Sequence, residues 1–416
     1  MHQTYDIIIV GGGLVGSSLA CAILAKNPQL QLALVDANSE QHADPRLLAL
    51  HLGSCQLLMH LGLWENLSAH ACPIHQVHVS TQGRFGAVRL SHTDIEKTML
   101  GHVIPAQVIN AAFNARLSSM ANLTLLHPAR LKKLHQEEHG VWVEVEEVKE
   151  DSQIPATLAS LKGKESSWKG FSSIVIAADG SYSTVREQLG IKTEVIDYQQ
   201  SAIVTITELK RPHQYIAYER FTDAGTIAML PLTAQRCATI WSATNAHTAT
   251  LMAMQDTEFL HTLQQQFGYR LGRFIAIQKR HVFPLQQIRA MQSGYQSVLL
   301  LGNAAHTLHP VAAQGLNLAL YEVACLADAL TKNTDLYNLR TCLQQTAEQA
   351  QQQLTTSRNL SNYLARYIDK NSLLTSTLRQ LGMLGLDLMP NIKRQFIQRV
   401  TGQWGKVPSL FLASSL

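Results

Sequence analysis

"YDIIIVGGGLVGSSLACAILAKNPQLQLALVDAN", residues 5–38, carries the reading on which the fold turns. Tyr5 to Val10 is a continuous apolar run, as in a parallel strand buried on both faces. Gly11, Gly13 and Gly16 follow as G-x-G-x-x-G at a strand-to-helix turn, with Leu14 opening the helix. Without side chains there, the backbone can approach a pyrophosphate, and the helix N-terminus offers free N–H groups and partial positive charge. A second strand, Leu30 to Val35, ends in Asp36, at the spacing where a carboxylate accepts hydrogen bonds from a ribose. A glycine turn alone can be empty of ligand. Strand, glycines, helix, second strand and acid in this order predict a dinucleotide site, which by itself serves NAD or FAD equally.

The same stretch lacks any charge from Ile7 to Ala25, long enough to imitate a membrane span or an export signal. Asp6 stands where a positive leader would be, three glycines interrupt any helix, and the run divides into strand and helix. The expected location is therefore cytoplasmic, or peripheral on the inner face of the cytoplasmic membrane. With 416 residues, the chain exceeds what one hydrophobic core usually serves, so interleaved domains are expected. Hydrophobic residues make up 46% and charged ones 15%, which suits large buried sheets or an apolar surface patch. A net charge of +4 with no basic stripe favours anionic small molecules or a membrane face and argues against nucleic acid. The six cysteines show no metal-type spacing, and no metal is expected.

Two further stretches carry chemistry. In "SIVIAADGSYSTVREQLG", residues 173–190, Ile174 to Ala177 is a buried strand, Asp179 and Gly180 make a turn, and Ser183 to Arg186 open a helix. An acid at the carboxyl end of a central strand can face ligand hydroxyls, although a simple helix cap would look the same. In "LLLGNAAHTLHPVAAQGLNLAL", residues 299–320, strand, tight turn and Pro-Gly passage lead into an apolar helix. Residues 77–90 and 200–245 read as antiparallel strands, where a nicotinamide dehydrogenase would continue with βαβ units.

In their order and spacing, G-x-G-x-x-G, "ADGSYSTVR" and "GNAAHTLHP…QGLN" resemble the three fingerprints of single-component FAD aromatic hydroxylases of the para-hydroxybenzoate hydroxylase type, over residues 5 to about 330. "YERFTDAGTIAMLPLTAQRCATIW" and "FGYRLGRF" are similar to the branch of that family in the ubiquinone pathway, its methoxyphenol hydroxylases most of all. The resemblance implies an α/β fold: a Rossmann-like FAD-binding domain, an interleaved antiparallel-sheet substrate domain and a C-terminal helical region. Residues 1–77, 101–185 and 286–335 would form the FAD-binding domain. Residues 78–100 and 186–285 would form the substrate domain, and 336–416 the C-terminal helices.

It further implies that Gly11, Gly13, Leu14 and Gly16 carry the FAD pyrophosphate and Asp36 the adenosine ribose. Arg46, in "DPRLLAL", matches an arginine beside the cofactor, and Gln107 a helix segment on the flavin side, where Pro105 and Ala106 depart from the family pattern. Asp179 matches the aspartate near the pyrophosphate and ribityl chain. Asn303 stands where most relatives have an aspartate bonding a ribityl hydroxyl. Pro310, Gln314, Gly315, Leu316 and Asn317 match the segment under the isoalloxazine, whose helix would point its N-terminus at the pyrimidine ring. Ala313 replaces a common glycine and Glu322 a common aspartate.

In the chemistry so implied, flavin reduced by a transient NAD(P)H captures O2 as a C4a-hydroperoxide that attacks an electron-rich prenylated phenol. No catalytic side chain is assigned. His306 and His309 stand in the third fingerprint, but nothing in the sequence aims either at a substrate. A substrate so apolar would be met at a bilayer or within an assembly of other ubiquinone-biosynthesis proteins. "NIKRQFIQRV" places Ile392, Phe396 and Val400 on one helical face, for a membrane, a homo-oligomer contact or plain packing on the core. Residues 148–170 read as a polar loop insertion. A reductase or dehydrogenase of an isoprenoid lipid on the same fold, or an FAD-holding scaffold subunit, remain alternatives.

Overall fold

The structure, a computed structural model, describes residues 3–38, 44–84, 86–148, 167–307, 314–330, 345–346 and 385–412. Its first sheet is built on five parallel strands in the order β19 (Val298–Leu300), β11 (Ser167–Ala177), β1 (Gln3–Val10), β2 (Leu32–Val35), β8 (Leu123–Leu126). A hairpin of β9 (Ala129–Glu137) and β10 (Gly140–Glu147) joins β11, and β18 (Gly294–Tyr295) borders β19. Strand β1 explains its own composition. Ile7 and Ile9 face a core with α1 (Leu14–Lys26), α2 (Leu52–His60), α3 (Trp64–Ser68), α4 (Ala106–Ser118) and α8 (Gln314–Leu330), whereas Tyr5, Ile8 and Val10 face the core under the hairpin. From Ile7 to Val10 no position reaches water, so none of these alternates to polar.

A small sheet, β3 (Leu47–His51), β7 (Gly101–Pro105) and β4 (Cys72–Ile74), links this layer to a second large sheet. That sheet runs β16 (Phe274–Ile277), β12 (Thr193–Leu209), β15 (Arg236–Thr244), β14 (Gly225–Pro231), β13 (Ile216–Thr222), β5 (Gln76–Thr81), β6 (Ala87–Ser91), with β17 (His281–Ala290) also on β12. It is antiparallel apart from β5 and β13, which run side by side. The boundary expected at residues 285 and 286 lies inside β17, which stays paired with β12 through Ala290. Helices α6 (Asn245–Ala253) and α7 (Asp256–Phe267) close one face over Trp241, Phe259 and Phe267, all fully buried. Between the sheets, α5 (Thr184–Gln188) starts at Ser183, whose hydroxyl accepts the Arg186 N–H at 3.0 Å.

The C-terminal segment is packed into the body. In α9 (Pro390–Val400) Ile397 is fully buried and Phe396 packs beside it, against the antiparallel sheet. Lys393 reaches Asp94 at 3.2 Å and Asp387 at 3.5 Å. Phe411 is buried against Gly53, where a β-carbon would come within 2.4 Å of its ring. Ile392, assigned by periodicity to the apolar face, is 53% exposed. Core packing therefore takes the neighbouring stripe, Phe396 and Ile397. No helix among the described residues is long and apolar enough to cross a membrane. Most of the insertion expected at 148–170, namely 149–166, lies outside the described residues.

Candidate functional site

Register brings the separate sequence motifs together. Val10 pairs with Ala177 and with Val35, and Ala177 with Leu300, so four neighbouring parallel strands end level. The ladder continues one step into the turns: Gly11 N–H donates to Val35 O at 2.8 Å, Ala178 N–H to Val10 O at 2.7 Å and Leu301 N–H to Ala177 O at 2.8 Å. Gly11, Asp36, Asp179 and Asn303 thus line one carboxyl edge of the sheet, the place where open α/β sheets bind ligands.

The three glycines do different work there. Gly11 has φ +106, and a β-carbon on it would lie 2.4 Å from the Ala178 backbone. On Gly16 the added carbon would be 1.8 Å from Gly11 O, so this residue lets the helix press on the turn. Gly13 has open space around it and φ −65, so it shapes the cradle rather than the fold. Leu14 is buried in the core, leaving its backbone N–H at the helix start as its contribution. Gly12, between them, gives way to Asp36, whose carboxylate would be 2.7 Å from a β-carbon there.

Burial pushes the Asp36 carboxyl above its ordinary value, against hydrogen bonds from Asn38 and the Gly12 backbone that lower it. Asp36 lines a cleft of about 400 Å³, open to solvent, with Gly12, Leu34, Asn38, Asn114 and His127. In the second turn, Asp179 Oδ2 accepts the Thr184 hydroxyl and the Val185 N–H, each at 3.2 Å, while its buried Oδ1 has no partner among the described residues. Asn303 is exposed in the short helical turn Gly302–Ala304, its amide free of hydrogen bonds among the described residues. A glycine cradle, an acid beside a cleft, an unsatisfied buried carboxylate oxygen and a free amide on one edge fit a dinucleotide bearing a polyhydroxyl chain.

Further groups hold this edge, Arg186 and Thr307 among them without having been singled out in the sequence. Arg186 is buried, donating from Nη1 to Ala304 O and from Nη2 to Ser181 O, both at 2.7 Å, and so ties the second turn to the third. Glu322, fully enclosed, accepts the Gly302 N–H at 3.2 Å and lies 3.8 Å from His306 Nε2, and burial drives its carboxyl up to about 8. His306 accordingly has a ring nitrogen beside the Glu322 carboxyl. Thr307 fastens the turn to β17: its hydroxyl accepts the Ile288 N–H at 2.6 Å. Arg46 is forked onto Asp44, with Nη2 to Oδ2 at 2.6 Å. Arg186 was visible in "STVR", where it was indistinguishable from an ordinary helix-start arginine, and Thr307 carried no signal.

At the start of α8, Gln314 and Gly315 are half-buried, and Gly315 has open space around it. Leu316 packs into the core. Asn317 is turned away to β3, donating to Ala49 O and accepting the His51 N–H, each at 2.9 Å. It positions the helix start against the small sheet. Gln107 is the second residue of α4 and exposed. Pro310, His309 and Ala313 lie outside the described residues. The antiparallel sheet presents a second face: Val204, Ala228, Leu230, Ile240 and Phe283 are apolar and half-buried, unlike their fully buried neighbours under α6 and α7.

Comparison with known proteins adds to this geometry. The sequence profile of the FAD binding domain family matches residues 4–335. The chain is 31% identical over 330 residues to ubiquinone hydroxylase UbiL of Rhodospirillum rubrum, covering 78% of this chain and 72% of that protein. It is 28% identical over 334 residues to 3-demethoxyubiquinol 3-hydroxylase of Escherichia coli, covering 79% and 80%. Among solved structures, p-nitrophenol 4-monooxygenase from Pseudomonas putida superposes with a TM-score of 0.76 over 97% of this chain and 100% of that one, at 14% identity, a likeness of fold.

Proposed function

Because the chain belongs to the FAD binding domain family, we propose that it is an FAD-dependent monooxygenase hydroxylating a polyprenylated phenol in ubiquinone biosynthesis, with 2-polyprenyl-6-methoxyphenol hydroxylation as its reaction. The observation that carries this reading is a pair of surfaces: a dinucleotide edge built from level strand ends, and an apolar, half-open sheet face whose strand β17 is tied to that edge through Thr307. FAD, when bound, supplies electron transfer from transient NAD(P)H and the activation of O2.

The chain's residues do the holding. The Gly11, Gly13 and Gly16 cradle, with the Leu14 N–H, takes the pyrophosphate. Asp36 accepts from the adenosine ribose, and Asp179 Oδ1 and the Asn303 amide from the ribityl hydroxyls. Arg46, steered by Asp44, lies beside the pyrophosphate, and Gln107 on the flavin side. The N-terminus of α8, at Gln314 and Gly315 and secured by Leu316 and Asn317, stabilises negative charge on the ring system. The apolar wall seats the prenylated ring and keeps water out.

Such a substrate is met at a membrane surface, and the exposed Leu388, Met389 and Ile392 beside α9 form the contact in this reading. The protein then works at the inner face of the cytoplasmic membrane. The deciding experiment supplies FAD-loaded protein with NADH or NADPH, O2 and a short-chain 2-prenyl-6-methoxyphenol. Hydroxylated product is expected. Nicotinamide oxidation yielding only reduced isoprenoid or hydrogen peroxide, or flavin that nothing reduces, would overturn the reading.

A further inference from the structure

Glu219 is an ionisable group standing on the apolar wall, whose other ionisable groups, Glu208, Arg236 and His281, lie on β12, β15 and β17. Glu219 is in the middle of β13, in register with Ala228 on β14 and Val79 on β5. The pairing is regular on both sides, so the period of two puts Glu219 on the same face as Ala217 and Phe221 and opposite to Tyr218 and Arg220. Cluster membership agrees: Tyr218, Ile227 and Met229 pack under α6 and α7, whereas Ala217, Val77, Val79 and Leu230 face the small sheet and Ala49. Ala49 is the residue whose carbonyl Asn317 grips, so the Glu219 face and the start of α8 are held against one strand, β3. Thr307 ties the Asn303 turn to β17 of the same sheet.

The side chain is half-buried, and among the described residues no hydrogen bond or ion pair holds it. Its direct neighbours on that face, Val79, Ala217, Phe221 and Ala228, carry nothing that titrates or donates; the nearest hydroxyls, of Thr81 and Thr226, are level with Phe221. A carboxylate among apolar neighbours is costly to charge, and its half-buried position leaves the oxygens open to a donor on a ligand.

We propose that Glu219 is the residue that receives the substrate's phenolic hydroxyl, accepting its hydrogen bond and then its proton. This rests on the prenylphenol hydroxylase reading given above. In the step, the phenolic O–H bond breaks, the proton passes to a carboxylate oxygen of Glu219, and the electron pair stays on the substrate oxygen. The resulting phenolate is richer in electrons at its ortho and para carbons, where hydroxylation occurs. The proton returns to the product's oxygen when the product leaves. Burial pushes the Glu219 carboxyl up to about 7, closer to a phenol near 10 than an ordinary carboxylate stands, which eases the transfer. The aliphatic surroundings seat the rest of the ring and its chain.

The test compares FAD-loaded wild type with Glu219→Gln, titrated with a short-chain 2-prenyl-6-methoxyphenol and with its O-methyl ether, which has no proton to give. Wild type at pH 8 is expected to bind the phenol about tenfold tighter than the ether and to hydroxylate it at a rate that falls as pH drops below 7, where the carboxylate is protonated. Glu219→Gln should bind the ether as wild type does, which confirms an intact wall, lose the preference for the phenol and lose that fall in rate. Equal phenol preference and an unchanged pH profile in the variant would overturn the role of Glu219 while leaving the hydroxylase reading untouched. Failure of wild type to bind either compound would overturn that reading and this assignment with it.

Discussion

The two surfaces of the proposed site are made in opposite ways. At the carboxyl edge of the parallel sheet, the shape is backbone: close approaches at Gly11 and Gly16, ladder bonds carried one residue past each strand, and Arg186 donating to two main-chain carbonyls. On the antiparallel sheet, the backbone is regular and the shape is side chain: alternate residues of β12, β13, β14 and β15 facing inward, with Glu219 among them. Cofactor binding depends on geometry that few residue types permit, so it tolerates little substitution. A substrate wall needs only size and polarity at every second position, so it can change while the fold stays.

The sharpest way to break this contrast is at the backbone edge. Gly16→Val would force a β-carbon onto Gly11 O and is expected to cost more than about 4 kcal/mol, seen as loss of soluble, cooperatively unfolding protein. Gly13 lies one turn away in open space with an ordinary φ, so Gly13→Asp should leave apo stability within about 0.5 kcal/mol. It places a carboxylate at the pyrophosphate, and FAD affinity should fall about a hundredfold, a loss of near 3 kcal/mol. If flavin titration finds Gly13→Asp binding normally, the cradle has been assigned to the wrong turn. Arg186→Met removes two charge-assisted bonds and strands two carbonyls, for about 3 kcal/mol in a urea midpoint measurement.

This division also decides what could be read from the sequence. Strand β1, the G-x-G-x-x-G turn, Asp36 and the DG turn were legible because each residue type is dictated by local backbone, and local backbone writes motifs. The level alignment of Val10, Ala177 and Leu300 was not legible, since it arises from pairing between segments more than a hundred residues apart. Asn317 matched a flavin-side segment by position, yet its amide holds β3, a choice set by tertiary packing. Glu219 stood within "YERF" without any signal. Only the sheet pairing shows that it faces aliphatic neighbours instead of water. The tail's periodicity correctly announced an amphipathic helix but chose Ile392 over Ile397, one residue beside the stripe that the core takes.

A side-chain wall with an unpartnered carboxylate should also betray itself in stability, without any ligand. The folded-state carboxyl of Glu219 is raised to about 7 from 4.5, so the folded protein holds that proton more tightly than the unfolded chain. Its contribution is fully present below pH 4.5 and is lost as pH rises through 7. Between pH 5 and pH 8, wild type should therefore lose up to about 3 kcal/mol relative to Glu219→Gln, measured by urea unfolding of the apo protein. Parallel pH profiles for the two proteins would mean that the carboxylate is well solvated, and the wall would then be wet rather than apolar.

The smallest expected effect returns to the backbone edge and asks what its side chains add. Asn303 sits in a turn whose position is already determined by the Leu301, Arg186, Glu322 and Thr307 bonds, and its own amide holds nothing. Changing it should leave the turn in place and alter only the bond to the ligand. An amide can accept a ribityl hydroxyl as an aspartate does, but without charge. Charge-assisted bonds contribute roughly 1.5–3 kcal/mol against about 0.5–1.5 for neutral ones, so Asn303→Asp should tighten FAD about tenfold. Equilibrium flavin titration checks this, with unchanged apo stability as the companion measurement. If affinity stays the same while the urea midpoint moves, Asn303 belongs to the turn's framework, and the edge is tuned by backbone alone.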